Sequence, residues 1–264
     1  IHTSFLHTGT ATGRLSSKNP NLQNIPVKSE AGSQIRSAFI PENGYTLVGI
    51  DYSQIELRLL AHFSGDEALV NAFNNDLDIH YQTAVKIFGE DEAKDKRSIA
   101  KSINFGLLYG MGSKKLGDTL GISSKDAKIY IESYFKAFKS VKDYLKSVED
   151  FAHVNGYIKT LLNRKRLFNF DSANAMIKAA YLREAVNTMF QGSAADLIKL
   201  SMVEIHKKYK NNNNVRMLLQ IHDELIFEIK EDIADEIIKE LKEIMENVYK
   251  LNIPLKVSIA RGNS

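Results

Sequence analysis

The sequence predicts an α+β fold in which β-strands near both ends of the chain enclose a helical middle. Apolar runs typical of buried strands occur at 45–51, 215–221, 225–229 and 254–260, whereas residues 78–154 show mainly helical periodicity. Strands that lie far apart along a chain can still pair in one sheet. We therefore expect a β-domain that is split by an all-helical insertion.

The amino-acid composition excludes several classes of protein. The chain has 264 residues, of which 44% are hydrophobic, so it is long enough for one or two domains with a real core. Its 35 basic and 32 acidic residues give a net charge of +3, which excludes a basic tail protein and an acidic disordered chain. The absence of cysteine excludes a disulfide scaffold, a thiolate zinc site and a cysteine nucleophile. No apolar run approaches the roughly 20 residues that span a bilayer, and we expect no membrane partner.

The balanced net charge hides a segregation of charge along the chain. Residues 151–200 carry seven Lys or Arg against three acids, whereas residues 51–100 carry ten acids against five bases. A locally basic region of this kind favours a polyanionic partner.

The individual elements follow in order. The first 45 residues are polar and rich in turn formers, and they predict an ordered loop region. The strand at 45–51 ends on Asp51, and Ser53-x-x-Glu56 resembles a capping box that opens a helix. Further helices are expected at 78–89, 92–110, 123–136, 139–154, 173–209 (interrupted at Gly192-Ser193) and 231–250. The strands at 215–221 and 225–229 predict a hairpin with His222, Asp223 and Glu224 at its apex.

Two acids are notable for their position. Asp51 ends one apolar strand, and Asp223 lies at the tip of an apolar hairpin. Carboxylates beside a buried sheet cost several kcal/mol unless they are paired or bind metal, and a shared Mg²⁺ site would satisfy both. Two metal ions about 3.5–4 Å apart can stabilise both the attacking and the leaving oxygen of a phosphoryl transfer. The alternative is that each acid forms a turn or caps a helix.

A basic and aromatic stripe is predicted on the helix at 92–110. Arg97, Lys101, Phe105 and Tyr109 recur every four residues and therefore share one slowly drifting face. The stripe suits a nucleoside triphosphate. The phosphates would contact the two basic side chains, and the sugar and nucleobase would lie near the two aromatic rings. The alternative is a solvated basic turn followed by a core aromatic stripe.

A second polar stripe is predicted on the helix at 173–209. Arg183, Asn187 and Gln191 follow the same spacing between apolar neighbours. Their side chains could form hydrogen bonds with sugars or with minor-groove acceptors of DNA. The alternative is a solvated helix face.

Taken together, the motifs resemble those of the bacterial family A DNA polymerases. The resemblance covers nearly the whole chain in order. It rests on the segments Thr12–Ser17, Asn21–Pro26, Asp51–Arg58, Arg97-x-x-x-Lys101-x-x-x-Phe105-x-x-x-Tyr109-Gly110 and Gln220–Glu224. The resemblance implies a palm with an antiparallel sheet at 1–64 and 176–264, split by helical fingers at 65–175. It also implies that the thumb and exonuclease domains are absent, that grip on duplex DNA is weak and that proofreading is not carried by this chain.

The resemblance also implies roles for the site residues. Asp51 and Asp223, with the backbone carbonyl of Tyr52, would bind two Mg²⁺ ions, for which Mn²⁺ can substitute, and Glu224 would be a less essential acid nearby. Lys101 would donate a proton to pyrophosphate, and Glu56 would exclude a 2′-hydroxyl. The implied nucleotide-binding set is Tyr52, Gln54, Glu56, His80, Arg97, Lys101, Phe105 and Tyr109. The implied DNA-binding set is Arg14, Asn24, Arg183, Asn187, Gln191 and His222.

The function implied is that of a DNA-directed DNA polymerase fragment, which adds dNTPs to a primer 3′ end by two-metal phosphoryl transfer in DNA replication and repair. Its partners would be primer–template DNA and dNTPs, and it would act as a monomer in the bacterial cytoplasm, at the nucleoid, or in an organelle. Two alternatives remain at this point. One is a single-subunit RNA polymerase, against which Glu56 argues. The other is a nucleic-acid-binding fragment without catalytic activity.

Overall fold

The computed structural model describes residues 1–26 and 29–262. These residues form two compact units. Unit 1 comprises Ile1–Ile55, Ala194–Lys250 and Leu255–Ser264, and unit 2 comprises Glu56–Ser193 and Leu251–Pro254. The predicted palm and fingers boundaries follow residues 64 and 175, whereas the units change after Ile55 and Ser193. The assignment of palm and fingers to particular ranges stays a prediction.

Eight strands and eleven α-helices lie within the described ranges. The strands are β1 (Ser4–Leu6), β2 (Ser16–Lys18), β3 (Tyr45–Tyr52), β4 (Tyr157–Lys159), β5 (Lys165–Leu167), β6 (Val215–Ile221), β7 (Glu224–Lys230) and β8 (Val257–Gly262). The helices are α1 (Glu30–Ser37), α2 (Ile55–Ser64), α3 (Glu67–Asn74), α4 (Ile79–Phe88), α5 (Glu90–Ala93), α6 (Arg97–Leu108), α7 (Ser113–Leu120), α8 (Ser124–Ala137), α9 (Lys139–Asn155), α10 (Ala175–Tyr209) and α11 (Ala234–Asn247).

The main sheet of unit 1 has four antiparallel strands in the order β6-β7-β3-β8. Strand β3 lies between β7 and β8, so residues from distant parts of the chain become neighbours across it. Its alternating side chains divide into a buried row, which includes Val48, Ile50 and Tyr52, and a half-buried row. The buried row faces the core, against which α11 packs. Asp51 belongs to the other row and therefore points away from that core.

The Tyr52 side chain helps to fix this core. Its hydroxyl donates to the Met245 carbonyl at 2.6 Å and lies 2.7 Å from the Ser201 hydroxyl. The ring is only 2% exposed. These partners satisfy the hydroxyl within the apolar interior, as a buried polar group requires.

Unit 2 is built mainly from helices. Helix α6 packs on α4, and α8 packs on both α4 and α7. Apolar side chains such as Leu69, Ile79, Ile103 and Phe138 are almost fully buried. Apolar side chains thus provide the helix-to-helix packing of this unit.

Several local predictions differ from the structure. The predicted helix at 92–110 is two helices, α5 and α6, separated by a short break before Arg97. Helix α10 continues through Gly192-Ser193, and within it the Ser193 hydroxyl donates to the Met189 carbonyl. The first 45 residues contain a two-stranded sheet and helix α1 rather than loop alone.

The segment that is predicted to form a capping box lies at the start of α2, and the capping box stays a prediction. The helix begins at Ile55, after Gln54 in a left-handed conformation with φ of 54°. The Ser53 amide donates to the Lys256 carbonyl at 2.9 Å. The Glu56 carboxylate accepts a hydrogen bond from the Tyr109 hydroxyl.

None of the helices in residues 1–26 and 29–262 combines the length and the apolar character that crossing a membrane requires.

Candidate functional site

The ends of β3 and β7 bring three acidic residues together in unit 1. Asp51 is paired with Glu224 in the antiparallel register of these strands. The Tyr52 amide donates to the Asp223 carbonyl at 3.1 Å, which ties the hairpin apex to the end of β3. Asp51, at the end of β3, therefore lies beside the hairpin apex that carries Asp223, although the two positions are far apart along the chain.

The hairpin apex is held by local geometry and by one ion pair. His222 adopts a φ of 54°, which lets the chain reverse between β6 and β7. An Arg14 Nη2 lies 3.0 Å from Asp223 Oδ1. The Gln23 side-chain amide donates to the Gln220 carbonyl at 3.0 Å, so the N-terminal segment contacts the strand that leads into the apex.

The acids influence one another electrostatically. Burial, together with the negative charges of Asp223 and Glu224, raises the pKa of Asp51 to about 6. Burial also raises the pKa of Glu224, an effect that the positive charge of Arg36 partly offsets. A cation placed among these groups would relieve the repulsion that the raised pKa of Asp51 reports.

Glu224 takes a position that depends on a glycine. A Cβ built on Gly49 would lie only 2.3 Å from Glu224 Oε1, so the carboxylate rests directly over the β3 backbone at that position. Any larger residue at position 49 would displace the Glu224 side chain. The absence of a side chain at Gly49 is therefore part of the acidic site.

The donors at this site suit a magnesium ion. Within residues 1–26 and 29–262, no group of three or more His, Asp or Glu side chains is arranged to hold a metal. The predicted ligand set contains two carboxylates and a backbone carbonyl, and Mg²⁺ usually takes only one or two carboxylates, with water and substrate phosphate completing its shell. The position of Asp51 beside the hairpin apex, and the burial and negative charge that raise the pKa of Asp51, fit such a site.

The raised pKa of Asp51 predicts an effect on stability. Because its folded pKa of about 6 exceeds the ordinary 3.8, ionisation of Asp51 disfavours the folded state as pH rises from about 4 to 6. After allowance for solvent screening, we expect Asp51→Asn to be more stable than the wild type by about 1–2 kcal/mol at pH 8, with the difference lost near pH 4. Urea unfolding at both pH values measures this. The exposed Asp232→Asn variant is the matched control. An equal gain for Asp51→Asn at both pH values would contradict the assignment.

The predicted phosphate-binding residues lie in unit 2, on α4 and α6. Asp78 caps α4 by accepting hydrogen bonds from the amides of His80 and Tyr81. Its carboxylate also accepts from Arg97 Nε at the start of α6. Burial alone would raise the pKa of Asp78, but the hydrogen bonds from Arg97 and Tyr81 lower it overall. Asp78 therefore orients Arg97 as well as starting α4.

The basic and aromatic stripe of α6 is present in the structure. Arg97 and Lys101 are exposed, and Phe105 and Tyr109 are half-buried. The Tyr109 hydroxyl donates to Glu56, which is only 4% exposed. The basic end of the stripe is thus accessible to an anion, and its aromatic end adjoins a buried carboxylate.

His80 lies beneath this stripe. Its ring centroid is 5.8 Å from that of Phe105, and its Nδ1 is 3.1 Å from the Asn104 side-chain nitrogen. Burial lowers the pKa of His80 to about 4, with nearby Arg97 and Lys101 acting in the same direction and Asp78 opposing them. The imidazole is therefore neutral at physiological pH.

The second predicted stripe lies on the part of α10 that belongs to unit 2. Arg183 is exposed, and Asn187 and Gln191 are half-buried. The Asn187 side-chain oxygen is buried and has no hydrogen-bond partner among the described residues. Gly110, with φ of 68°, allows the Arg183 side chain to approach the turn after α6, since a Cβ there would meet Arg183 Cγ at 3.0 Å.

The remaining predicted site residues differ in their exposure and contacts. Asn24 and His222 are exposed, and Gln54 is half-buried. Since the Tyr52 side chain lies in the core, only its backbone could contact a metal or a nucleotide. In the basic region at 151–200, Arg166 donates to Thr188 at 2.8 Å and pairs with Glu184, so it is engaged within unit 2.

Sequence reasoning missed several residues that contact the candidate site. Asn104 contacts both His80 and Thr83, Asp78 pairs with Arg97, and Arg36 lies near Glu224. An asparagine within an otherwise apolar helix face was a usable signal for Asn104. The partner of Arg97 could not be found in this way, because nothing in the local sequence of either residue indicates the contact.

Comparison with known proteins identifies the family. The family model described as DNA polymerase family A matches residues 1–264. The DNA polymerase I of Helicobacter pylori is 57% identical over 260 residues, covering 98% of this chain and 29% of that protein. The thermostable DNA polymerase I of Thermus aquaticus is 45% identical, covering 99% of this chain and 32% of that protein. The chain thus spans about a third of the length of these relatives.

A solved structure agrees with the sequence comparisons. The POL domain of Pol1 from M. smegmatis, in complex with DNA primer-template and dNTP, has a TM-score of 0.94 and 44% identity, covering 100% of this chain and 48% of that one. The fold is therefore that of a polymerase domain. The chain belongs to DNA polymerase family A. This confirms both the resemblance and the predicted α+β fold with an antiparallel sheet.

Proposed function

We propose that this chain catalyses template-directed addition of dNTPs to a primer 3′ end. The observation that carries the proposal is the placement of Asp51, at the end of β3, beside the hairpin apex that carries Asp223. The relatives are named DNA polymerase I, and the similar solved domain is bound to primer-template and dNTP. Family membership does not favour the single-subunit RNA polymerase alternative.

Metal binding is part of the proposal. Family A DNA polymerases are metal-dependent. We assign the two carboxylates of Asp51 and Asp223 and the Tyr52 carbonyl as ligands of two Mg²⁺ ions, with Mn²⁺ as a substitute. Bound there, the ions would supply Lewis-acid stabilisation of phosphoryl oxygens. Glu224, held over Gly49, adds negative charge without being a direct ligand.

The nucleotide is assigned to the α4 and α6 residues of unit 2. The exposed guanidinium of Arg97 and ammonium of Lys101 would bind the triphosphate, with His80 as a third donor. Lys101 is also the candidate proton donor to pyrophosphate. Phe105 and Tyr109 would contact the sugar and base, Glu56 would exclude a 2′-hydroxyl, and Gln54 completes the proposed set.

The proposed contacts with template and primer are made by polar side chains. Arg183, Asn187 and Gln191 share one face of α10, and the unsatisfied Asn187 oxygen is an acceptor suited to a donor on DNA. Arg14, Asn24 and His222 are the proposed contacts from unit 1. We propose that the chain acts as a monomer and, by analogy with its bacterial relatives, in the cytoplasm at the nucleoid.

Primer extension at low salt and high protein concentration tests the proposal. Low salt matters because phosphate contacts weaken steeply as salt rises. We expect extension with dNTPs and Mg²⁺, little with rNTPs, and none after chelation by EDTA. DNA binding without extension under all these conditions would instead support the non-catalytic nucleic-acid-binding alternative.

Phe105→Tyr should improve the use of dideoxynucleotides. A phenyl ring offers no hydrogen bond to replace that of a missing 3′-hydroxyl, whereas a phenol does. We expect the ratio of dideoxy to deoxy incorporation to rise by about 10-fold, the value of one hydrogen bond. Single-nucleotide incorporation kinetics measure it, with Phe151→Tyr, an exposed position on α9, as the matched control. An unchanged ratio would remove Phe105 from the sugar site.

A further inference from the structure

A small polar cluster is buried between α4 and α6 of unit 2. His80, Thr83 and Asn104 are 2%, 0% and 1% exposed, respectively. Buried polar atoms are destabilising unless they form hydrogen bonds, so the protons of this cluster must be shared among its members in a defined way.

The hydroxyl of Thr83 has one proton to donate. It lies 2.8 Å from the Ile79 carbonyl and 3.2 Å from Asn104 Oδ1, and the shorter contact is the ordinary bond from a helical threonine to the preceding turn. The Thr83 oxygen then accepts from Asn104 Nδ2, which is 3.1 Å away.

The second amide proton of Asn104 has one acceptor in this cluster. Asn104 Nδ2 lies 3.1 Å from His80 Nδ1, so the amide donates and Nδ1 accepts. The reversed amide would direct Oδ1 at His80 and leave one buried N–H with no acceptor in the cluster. Buried orphan N–H groups are rarer than under-satisfied carbonyls, which favours the observed orientation.

A neutral imidazole carries one proton, and an accepting Nδ1 places that proton on Nε2. We propose that Asn104 is a positioning residue that holds His80 in the Nε2–H tautomer, in which His80 donates to a phosphate oxygen of the incoming nucleotide. The opposite tautomer would present a lone pair to the anion. The phosphate contact rests on the proposed function, whereas the tautomer does not.

The low exposure of His80 adds a structural condition. With Phe105 close by and only 2% of the residue accessible, a phosphate can reach Nε2 only if neighbouring side chains move aside. A ring with a fixed tautomer is then ready to donate as soon as it is uncovered. This is preorganisation of a single hydrogen bond.

Nitrogen-15 NMR of the histidine-labelled chain, without substrate, tests the tautomer directly. We expect His80 in the wild type to show a single form with an unprotonated Nδ1, whereas the exposed His206 should show a mixture. Asn104→Leu should release His80 into a mixture, and Asn104→Asp, which keeps the size of the side chain, should move the proton to Nδ1. Asn71→Leu, an exposed change on α3, should leave the His80 signals unchanged. A protonated Nδ1 in the wild type, or signals that neither Asn104 variant alters, would overturn the proposal.

Kinetics then test the link to the nucleotide. We expect Asn104→Leu and His80→Leu each to raise KM for dNTP by about 10-fold with little change in kcat, and the double variant to be no worse than either alone. Additive losses would mean that Asn104 acts independently of His80. If the wild type shows the expected tautomer but extends no primer, the proposed function fails and the positioning role of Asn104 stands. If it extends primers with the other tautomer, the reverse holds.

Discussion

Replacement of Asp51 or Asp223 by asparagine is expected to lower the rate of primer extension by at least about 10³-fold. The amide keeps the shape of the carboxyl group but removes the charge that would hold a metal ion, and metal electrostatics supply several kcal/mol of transition-state stabilisation. Asp51 lies at the end of β3, next to the hairpin apex that carries Asp223, so we expect the two single variants to be similarly inactive and the double variant to be little worse.

Single-turnover extension at saturating dNTP and Mg²⁺ measures this loss. Asp232→Asn, an exposed acid in the same unit, is the matched control and should extend at the wild-type rate. Circular dichroism and thermal unfolding establish that each variant is folded, and Asp51→Asn should be at least as stable as the wild type. Near wild-type extension by either active-site variant would refute the metal assignment.

Glu56→Ala should increase the use of rNTPs relative to dNTPs by about 10²-fold. The proposal places this buried carboxylate under the sugar, where it leaves no room for a 2′-hydroxyl, and alanine would open that space. Discrimination built on one group that contacts or excludes a substrate hydroxyl is commonly of this size. Tyr109→Phe should have a smaller effect in the same direction, because it removes the hydroxyl that donates to Glu56.

Competing incorporation of rNTP and dNTP opposite one template base measures the ratio. Glu67→Ala, at an exposed position in the first turn of α3, is the matched control and should leave the ratio unchanged. If Glu56→Ala loses dNTP incorporation without any gain in rNTP use, Glu56 contributes to folding or binding and is not a steric gate.

The strands next to the acidic residues were predictable because short apolar runs separated by turn residues rarely form anything other than buried β-strands. The positions of Asp51 at a strand end and Asp223 in a hairpin apex follow from those runs. The register that pairs Asp51 with Glu224 does not, because it depends on contacts across the sheet. The ion pair of Asp223 with Arg14 joins residues 209 positions apart and has no local signal.

In the helical region too, features set by local sequence were predictable and features set by tertiary contacts were not. Four-residue spacing was sufficient to predict the stripe from Arg97 to Tyr109. It could not show that the helix starts only at Arg97, since the preceding segment is equally helical in composition. Nor could it show that Gly192-Ser193 lies within an unbroken helix, where the Leu161 amide donates to the Ser193 hydroxyl at 2.9 Å. Such tertiary contacts override local propensity.

The alternation of β3 has a consequence for how this protein can vary over evolution. Val48 and Ile50 face the interior, whereas Gly49 and Asp51 face the acidic cluster. Neighbouring residues of this strand are therefore under different constraints, one set by folding and the other by the site. Substitutions at the even-numbered positions would mainly change stability and so the amount of folded protein in the cell. Substitutions at the odd-numbered positions would mainly change activity. In this strand, site residues can therefore change during evolution without loss of the core, and core residues can change without loss of the site.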